Sequence, residues 1–413
     1  MRATRIDLEL ERLPAARRSL RVAVVTESYP PEVNGVATTI ARFVEGLRQR
    51  NHSVQIVRPR QEADRGAADA PDRGRDFLVR GLPIPRYPDL KMGLPAKKAL
   101  ARLWTYERPD VVHLVTEGPL GWSALQAAAR LRIPMCSDFR TNFHAYSRHY
   151  GIGWLNKPIL AYLKKFHNRT RYTMVPTESL RSTLEGLGFR NLRVVARGVD
   201  TLRFHPCKRS IDLRRLWGAG EDDPVILHVG RLAAEKNLGV LAEVHSRLRA
   251  LEPRARLVVV GDGPARRDLE LRCRGAIFAG TRTGEDLAAH YASGDIFLFP
   301  SLTETYGNVT VEAMASGLAV VAYDHAAAAE HIVHGESGMV AACDDSAAFV
   351  RHACELMRST TRIRRIGASA RERAEGLEWG RVVEQFEALL FATAAESAAH
   401  VRVASTYPWR LPA

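Results

Sequence analysis

The sequence predicts an α/β protein built from two Rossmann-like halves in tandem. Three observations carry this. The chain has 413 residues, more than one core usually serves, so two domains of roughly 200 residues each are expected. Short apolar runs alternate with segments of helical spacing from Leu20 to Phe189, the mark of a doubly wound parallel sheet. That rhythm breaks at "VVARGVDTLRFHPC", Val194 to Cys207, and then begins again.

The first strand is "LRVAVVTES", Leu20 to Ser28, a buried-type apolar run. The loop "YPPEVNGV" follows, then "ATTIARFVEGLRQRN" with helical spacing and the strand "HSVQIVRPR". Residues 61–80 are polar and rich in turn formers, which reads as a surface loop. "PDVVHLVTE" and "IPMCSDF" are strands separated by the helix "PLGWSALQAAARLR". "PILAYLKKFHNRTR" is helical, "YTMVPTE" a short strand and "SLRSTLEGLGF" a helix. After the break come the strands "DDPVILHVGRL", "ARLVVVGDG", "AIFAG", "DIFLFPS" and "LAVVAYD", each followed by helical spacing.

Composition narrows the function. Apolar residues make up 46% and charged residues 26%, as in ordinary soluble globular proteins. No window approaches the ~20 apolar residues of a membrane span, and the charged N-terminus has no secretory core. The five cysteines are scattered and form no C-x-x-C, which favours reduced thiols in a cytoplasm. The formal charge of +14 favours anionic partners. Basic runs interleaved with aromatics, zinc fingers and RNP-like segments are missing, so nucleic acid is not expected as a partner. D-x-D, H-E-x-x-H and G-x-S-x-G are missing too, so no metal or other cofactor is expected, and no serine hydrolase.

In open α/β sheets ligands bind beyond the carboxyl ends of strands. Glu304 lies just past "DIFLFPS", and "NVTVEAMASG" reads as a helix starting near Gly307, with Glu312 inside it. The N–H groups of Tyr306, Gly307, Asn308 and Val309 then point out of a helix start that attracts phosphate. Carboxylates on either side accept from diols, so the pattern suits a nucleotide sugar. The spacing alone also fits a capped helix with two peripheral glutamates. Gly230, Arg231 and Lys236 follow the strand "VILHV" and place two cations where a diphosphate would need them; a solvated basic loop is the other reading. "VVVGDGPAR" fits either a nucleotide-pocket wall or a purely structural turn. Gly35 either faces the donor through its backbone or simply turns the chain. Glu117, Arg140, Asn142, His144 and Tyr146 follow strands of the first half, as acceptor-site residues or as structural ones.

The ordered set "HVGRLAAEKNL", "VGDGP", "ETYGNVTVE" and "EAMASGLAVVA" resembles the motifs of retaining glycosyltransferases of family four, including their E-x7-E signature. "GVDTLRFHP" resembles the interdomain segment of that family. "TESYPPEVNGVATTI", "PDVVHLVTEGPLG" and "RTNFHAYSRHYG" resemble its GDP-mannose-dependent α-mannosyltransferases and glycolipid glycosyltransferases. The likeness covers nearly all of residues 20–392. It implies a GT-B fold with the active site in the cleft and no metal requirement. It also implies an acceptor domain at 1–200, a donor domain at 201–377, and a last segment, 378–413, whose helix crosses back to the first domain. By this likeness Arg231 and Lys236 hold the diphosphate and Glu304 contacts the donor sugar. Gly307, Asn308 and Val309 present backbone, Glu312 takes the ribose and Gly35 lines the donor site. Many members of the family carry histidine, in an "HTNF"-like segment, where this chain has Arg140, which leaves that role to Arg140, to His144 or to neither. The implied reaction moves a hexose, mannose from GDP-mannose in the first instance and a UDP-hexose in the second, to a lipid or glycan hydroxyl. The alternative is a nucleotide-sugar-binding protein without transfer activity. Basic stretches at 91–104 and 157–171 carry apolar residues at helical spacing. They fit either peripheral contact with an anionic membrane at its cytoplasmic face, or core helices with a solvated basic side.

Overall fold

The computed structural model describes residues 19–404 apart from 33, 63, 65–75, 85–86 and 140–155. Two parallel sheets organise it. The first contains β1 (Arg21–Val25), β2 (Ser53–Pro59), β3 (Asp76–Val79), β6 (Val111–Leu114), β7 (Met135–Asp138), β8 (Thr173–Val175) and β9 (Leu192–Val194), in the order β3-β2-β1-β6-β7-β8-β9. A separate antiparallel hairpin joins β4 (Gly81–Ile84) to β5 (Tyr87–Gly93). The second sheet contains β10 (Val225–Val229), β11 (Arg256–Val260), β12 (Ile277–Gly280), β13 (Ile296–Phe299), β14 (Ala319–Tyr323) and β15 (Met339–Ala341), in the order β12-β11-β10-β13-β14-β15. Segment 61–80, expected to be loop, contributes β3, which pairs with β2 from Ile56↔Asp76 to Pro59↔Val79. Its buried anchor is ionic: Arg58 holds Asp64 at 2.8 Å and Asp76 at 3.3 Å. Polar content therefore disguised an edge strand.

Parallel sheets are covered on both faces, so their strands read as unbroken apolar runs; β10, β13 and β14 are buried at every position. One face of the first sheet packs against Phe43, Val44 and Leu47 of helix Gly35–Gln49 and Val382, Val383, Phe386 and Leu390 of helix Trp379–Ala404. The Phe43 and Phe386 rings stack at 4.3 Å. Glu387 of the same helix binds Arg50 at 2.8 Å and His52 at 2.7 Å. The chain's last helix thus completes the core of the first sheet although it follows the second in sequence. Helices Lys97–Tyr106 and Pro119–Leu131 cover the opposite face, with Leu100, Trp104, Leu120 and Leu125 buried. The apolar residues at 91–104 and 157–171 are therefore largely spent inside: Leu100, Trp104, Leu163 and Phe166 belong to core clusters.

The chain passes between the sheets twice, and the crossings pair with each other. Val199 N donates to Leu377 O at 2.9 Å, and Val199 forms an isolated parallel bridge with Glu378. Strand order reverses between β1 and β6 in the first sheet and between β10 and β13 in the second. Each reversal opens a crevice at the carboxyl ends of its two strands; Gly35 and Glu117 follow β1 and β6, and Gly230, Arg231, Lys236 and Glu304 follow β10 and β13.

Candidate active site

β10 and β13 deliver opposite charges to one crevice. Past β10, the turn Ala234–Lys236 carries Lys236; past β13, the loop through Ser301 carries Glu304. Lys236 Nζ and Glu304 Oε1 form an ion pair, and Ser301 donates to the same oxygen at 2.8 Å. Burial works to raise the Glu304 carboxyl, but Lys236, Ser301 and the charge of Arg197 outweigh it and hold it below the usual range. Arg231 pairs with Glu235, a carboxylate buried between the two cations in sequence. Both cations are thus fixed at strand ends by carboxylates.

The turn over Val258–Arg266 explains how the Arg231 loop keeps its shape. Leu232 N donates to Asp262 O at 2.9 Å and Gly230 N to Val260 O at 3.0 Å. A Cβ on Gly261 would stand 1.9 Å from Gly230 O. The G-x-G therefore supports Gly230–Leu232 through its backbone, as the structural reading of its sequence expects.

Gly307 has φ 86° and caps helix Asn308–Ala315 without a side-chain hydrogen bond. No cap side chain therefore competes for the first-turn N–H groups of Asn308 and Val309, and glycine takes this left-handed conformation at little cost. Within that helix Glu312 Oε2 accepts from the buried Tyr291 hydroxyl at 2.9 Å. Burial pushes the Glu312 carboxyl up to about 7, with the Tyr291 hydrogen bond and Arg203 opposing it. The Tyr306 side chain turns away from the crevice: its hydroxyl donates to Arg197 O at 2.8 Å and lies 3.0 Å from His331 Nε2.

On the other side of the cleft, Gly35 opens helix Gly35–Gln49. Asn34 caps that helix, accepting from Val36 N at 3.1 Å and Ala37 N at 2.8 Å, so these N–H groups are already used. An ideal Cβ on Gly35 would lie 3.1 Å from Arg197 Nη1 and 3.5 Å from Asn308 Nδ2. Gly35 therefore faces the start of the donor-side helix. Glu117 is buried and reaches His167 Nε2 at 3.1 Å, while Ser137 Oγ stands 2.9 Å from His167 Nδ1. Its side chain braces the first domain internally. Arg140, Asn142, His144 and Tyr146 lie outside the described residues.

Two residues were overlooked in the sequence. Glu27 lies two residues past β1, at the first sheet's reversal point; its Oε1 accepts from Leu120 N at 3.1 Å. Burial pushes its carboxyl up to about 7, with Leu120 N–H lowering it and Glu117 raising it. The strand-end carboxylate in "VVTES" was the available signal. Arg197, in the interdomain segment, offered none, because a basic residue there reads as solvated linker.

Residues 33–203 match the family described as Glycosyltransferase Family 4, and residues 223–359 match Glycosyl transferases group 1. A GDP-mannose-dependent alpha-mannosyltransferase of Corynebacterium glutamicum is 32% identical over 374 residues, covering 89% of this chain and 88% of that protein. The chain belongs to glycosyltransferase family four. An alpha-monoglucosyldiacylglycerol synthase of Streptococcus pneumoniae is 26% identical over 321 residues, 74% of this chain and 71% of that protein. The fold of this glycosyltransferase is GT-B, like that of Anabaena HepE, solved in complex with UDP: TM-score 0.73, 17% identity, 90% of this chain and 100% of that one. Among the described residues, no group of histidine, cysteine, aspartate and glutamate is arranged to hold a metal ion.

Proposed function

We propose that this glycosyltransferase moves mannose from GDP-mannose to a hydroxyl of a lipid or lipid-linked glycan, with retention of anomeric configuration. The observation that carries the reading is the meeting of Lys236 and Glu304 across the β10/β13 reversal point, beside the start of helix Asn308–Ala315, whose Gly307 cap makes no side-chain hydrogen bond. The Corynebacterium relative is named for GDP-mannose and the Streptococcus relative for a diacylglycerol product.

The donor diphosphate docks at that helix start, where N–H groups and the helix dipole favour anions. Arg231 and Lys236 then exchange their carboxylate partners for phosphate oxygens, which frees Glu304 for the sugar hydroxyls. Glu312 takes the ribose hydroxyls, and Gly35 closes the site from the facing domain. The acceptor hydroxyl attacks the anomeric carbon from the face the diphosphate leaves. The bond from anomeric carbon to phosphate oxygen breaks with its electron pair on that oxygen, and the acceptor proton passes to the same phosphate. Cations and helix dipole stabilise the departing charge; losing one such contact costs roughly 3–4 kcal/mol of barrier.

For the acceptor side we infer peripheral contact with an anionic membrane. No helix among the described residues is long and apolar enough to cross one. The exposed side of helix Asn156–His167 instead joins Tyr162 to Trp122, with Lys165 at 6.0 Å and Arg169 at 5.4 Å from the Trp122 ring. Such a surface suits head groups, each basic residue contributing about 1 kcal/mol near anionic lipid. A thermal-shift screen with GDP, UDP and ADP tests the donor, because binding raises the melting temperature. GDP alone should stabilise strongly; stabilisation by UDP or ADP instead would overturn the donor assignment. Binding to anionic vesicles that is lost at high salt tests the membrane contact, and equal binding to neutral vesicles would refute it.

A further inference from the structure

Helix Glu178–Gly186 follows β8 of the first sheet, and helix Ala326–His331 follows β14 of the second. They meet through one carboxylate. Glu330 Oε1 accepts from Glu178 N at 3.0 Å and from Ser179 N at 3.4 Å. These N–H groups open helix Glu178–Gly186, where the backbone has no partner within the helix itself. The helix's own cap, Thr177, serves Leu180 N at 3.2 Å. The second domain thus completes the cap of a first-domain helix, and Glu330 places its negative charge where the helix dipole favours it.

The segment that carries Glu330 is also fastened to the loop that carries Glu304. His325 Nε2 donates to Glu304 O at 2.9 Å. Ala327 N donates to Tyr306 O at 2.8 Å, and His331 Nε2 lies 3.0 Å from the Tyr306 hydroxyl. Between these ties Ala326 has φ 53°, a conformation that alanine takes only where its surroundings impose it. Burial, and after it the charge of Glu330, push the Tyr306 hydroxyl up against the influence of Arg197, so Glu330 is also felt at the loop. Helix Asn308–Ala315 is held separately, by Val311, Ala313 and Met314 in the second core. The position of helix Ala326–His331 therefore decides where the Glu304 loop sits, more than where the helix after it begins.

We propose that Glu330 is a positioning residue for the donor sugar: by capping helix Glu178–Gly186 it seats helix Ala326–His331 against the first domain, and that seating sets the Glu304 loop. This rests on the donor-transfer reading above, in which Arg231, Lys236 and the start of helix Asn308–Ala315 take the diphosphate and Glu304 takes the sugar. The consequence is specific: the sugar's share of donor affinity depends on a contact between the domains, and the diphosphate's share does not.

The test uses the full chain and the variants E330A, E330K and E178P, with E178A as control. Proline suits the first position of a helix and lacks the N–H, and Thr177 before it is already extended, at φ −142° and ψ 153°. E178P therefore removes the 3.0 Å donor from the first domain and leaves the second intact. Calorimetry compares GDP-mannose with GDP, with UDP-glucose and UDP, and ADP-glucose and ADP, run alongside; melting curves check folding. E330A should bind GDP-mannose about threefold to fivefold more weakly, the effect of a charge at a helix start, and GDP as the parent does. E330K, which sets a positive charge there, should lose about tenfold for GDP-mannose. E178P should repeat E330A, the double variant should lose no more than either alone, and E178A should bind as the parent. The contact is exposed, so the losses should shrink at high salt. Where E178P fails to fold, E330A and E330K decide by the same comparison. Variants that bind GDP-mannose within experimental error of the parent overturn the proposal and leave the donor-transfer reading standing. Equal losses for GDP and GDP-mannose also overturn it, because they indicate a general loosening of the fold. A parent that binds the UDP or ADP pair instead overturns the donor assignment, and the role of Glu330 is then decided on that pair. A parent that binds none of the three pairs overturns both.

Discussion

Nucleotide binding should depend on pH through Glu312, the residue proposed to take the ribose hydroxyls, in a direction that follows from its surroundings. Burial pushes its carboxyl up to about 7, against the Tyr291 hydroxyl and Arg203. A carboxylate accepts from both hydroxyls of a ribose, whereas the acid keeps a proton in the way. Nucleoside binding should therefore expel the proton. At pH 6 about nine-tenths of the free protein carries it, so about 0.9 proton is released per nucleoside bound. Affinity then falls about tenfold from pH 8 to pH 6, about 1.4 kcal/mol. The assay is calorimetry with guanosine in two buffers of different ionisation enthalpy. Guanosine is preferred because a terminal phosphate titrates near pH 6 itself. E312Q should flatten the pH dependence, and Y291F, which removes the lowering hydrogen bond, should move its midpoint upward. Release below about 0.2 proton at pH 6, or an unchanged slope in E312Q, would refute the reasoning. The same shift has a sign for folding. The folded carboxyl titrates above its ordinary 4.5, so the folded chain holds the extra proton between those values. The associated stability is present below 4.5 and declines as pH rises through about 7.

E304Q should lower turnover by about 10²–10³ while the melting curve stays within a few degrees, because Glu304 is partly exposed in a loop; steady-state rates within threefold of the parent would remove it from the donor sugar. GDP affinity in E304Q should not fall, since Lys236 loses a competing partner. K236A should weaken GDP by about tenfold but guanosine hardly at all, and equal calorimetric losses would point to misfolding instead. F386A should cost about 3–5 kcal/mol of stability, because its ring stacks on Phe43 inside the first core; denaturant unfolding that shows less than about 1 kcal/mol would mean the last helix is not part of that core.

Why some of this was legible and some not has a physical answer. The strand runs "VILHV", "LVVV" and "IFLF" are buried on both faces, so their residues report the sheet directly. Strand ends follow from strands, so position places Lys236 and Glu304 beyond β10 and β13, and Glu312 in the helix that follows β13. Three-residue strands such as β9 and β15 are too short to show a period. The β4–β5 hairpin carries prolines and charges because it lies outside the main sheet. β3 was hidden because its anchor, Arg58 with Asp64 and Asp76, is built from residues that normally mark a surface loop.

The residues missed at the site share one property: their partners are distant in sequence. Glu27 meets Leu120 across 93 positions, and Arg197 meets Asn308 across 111. Local pattern reports what a residue's neighbours in the chain require, and here those neighbours were a strand end and a linker. What brings Arg197 to the second domain is the pairing of the two crossings, Val199 with Leu377 and Glu378, which sets the linker against that domain. That pairing sets the seam between the domains beside the proposed site. Ligand affinity in this enzyme should then respond to substitutions at the seam, such as Asp200, whose carboxylate holds Arg42 at 2.7 Å, even where they touch no ligand.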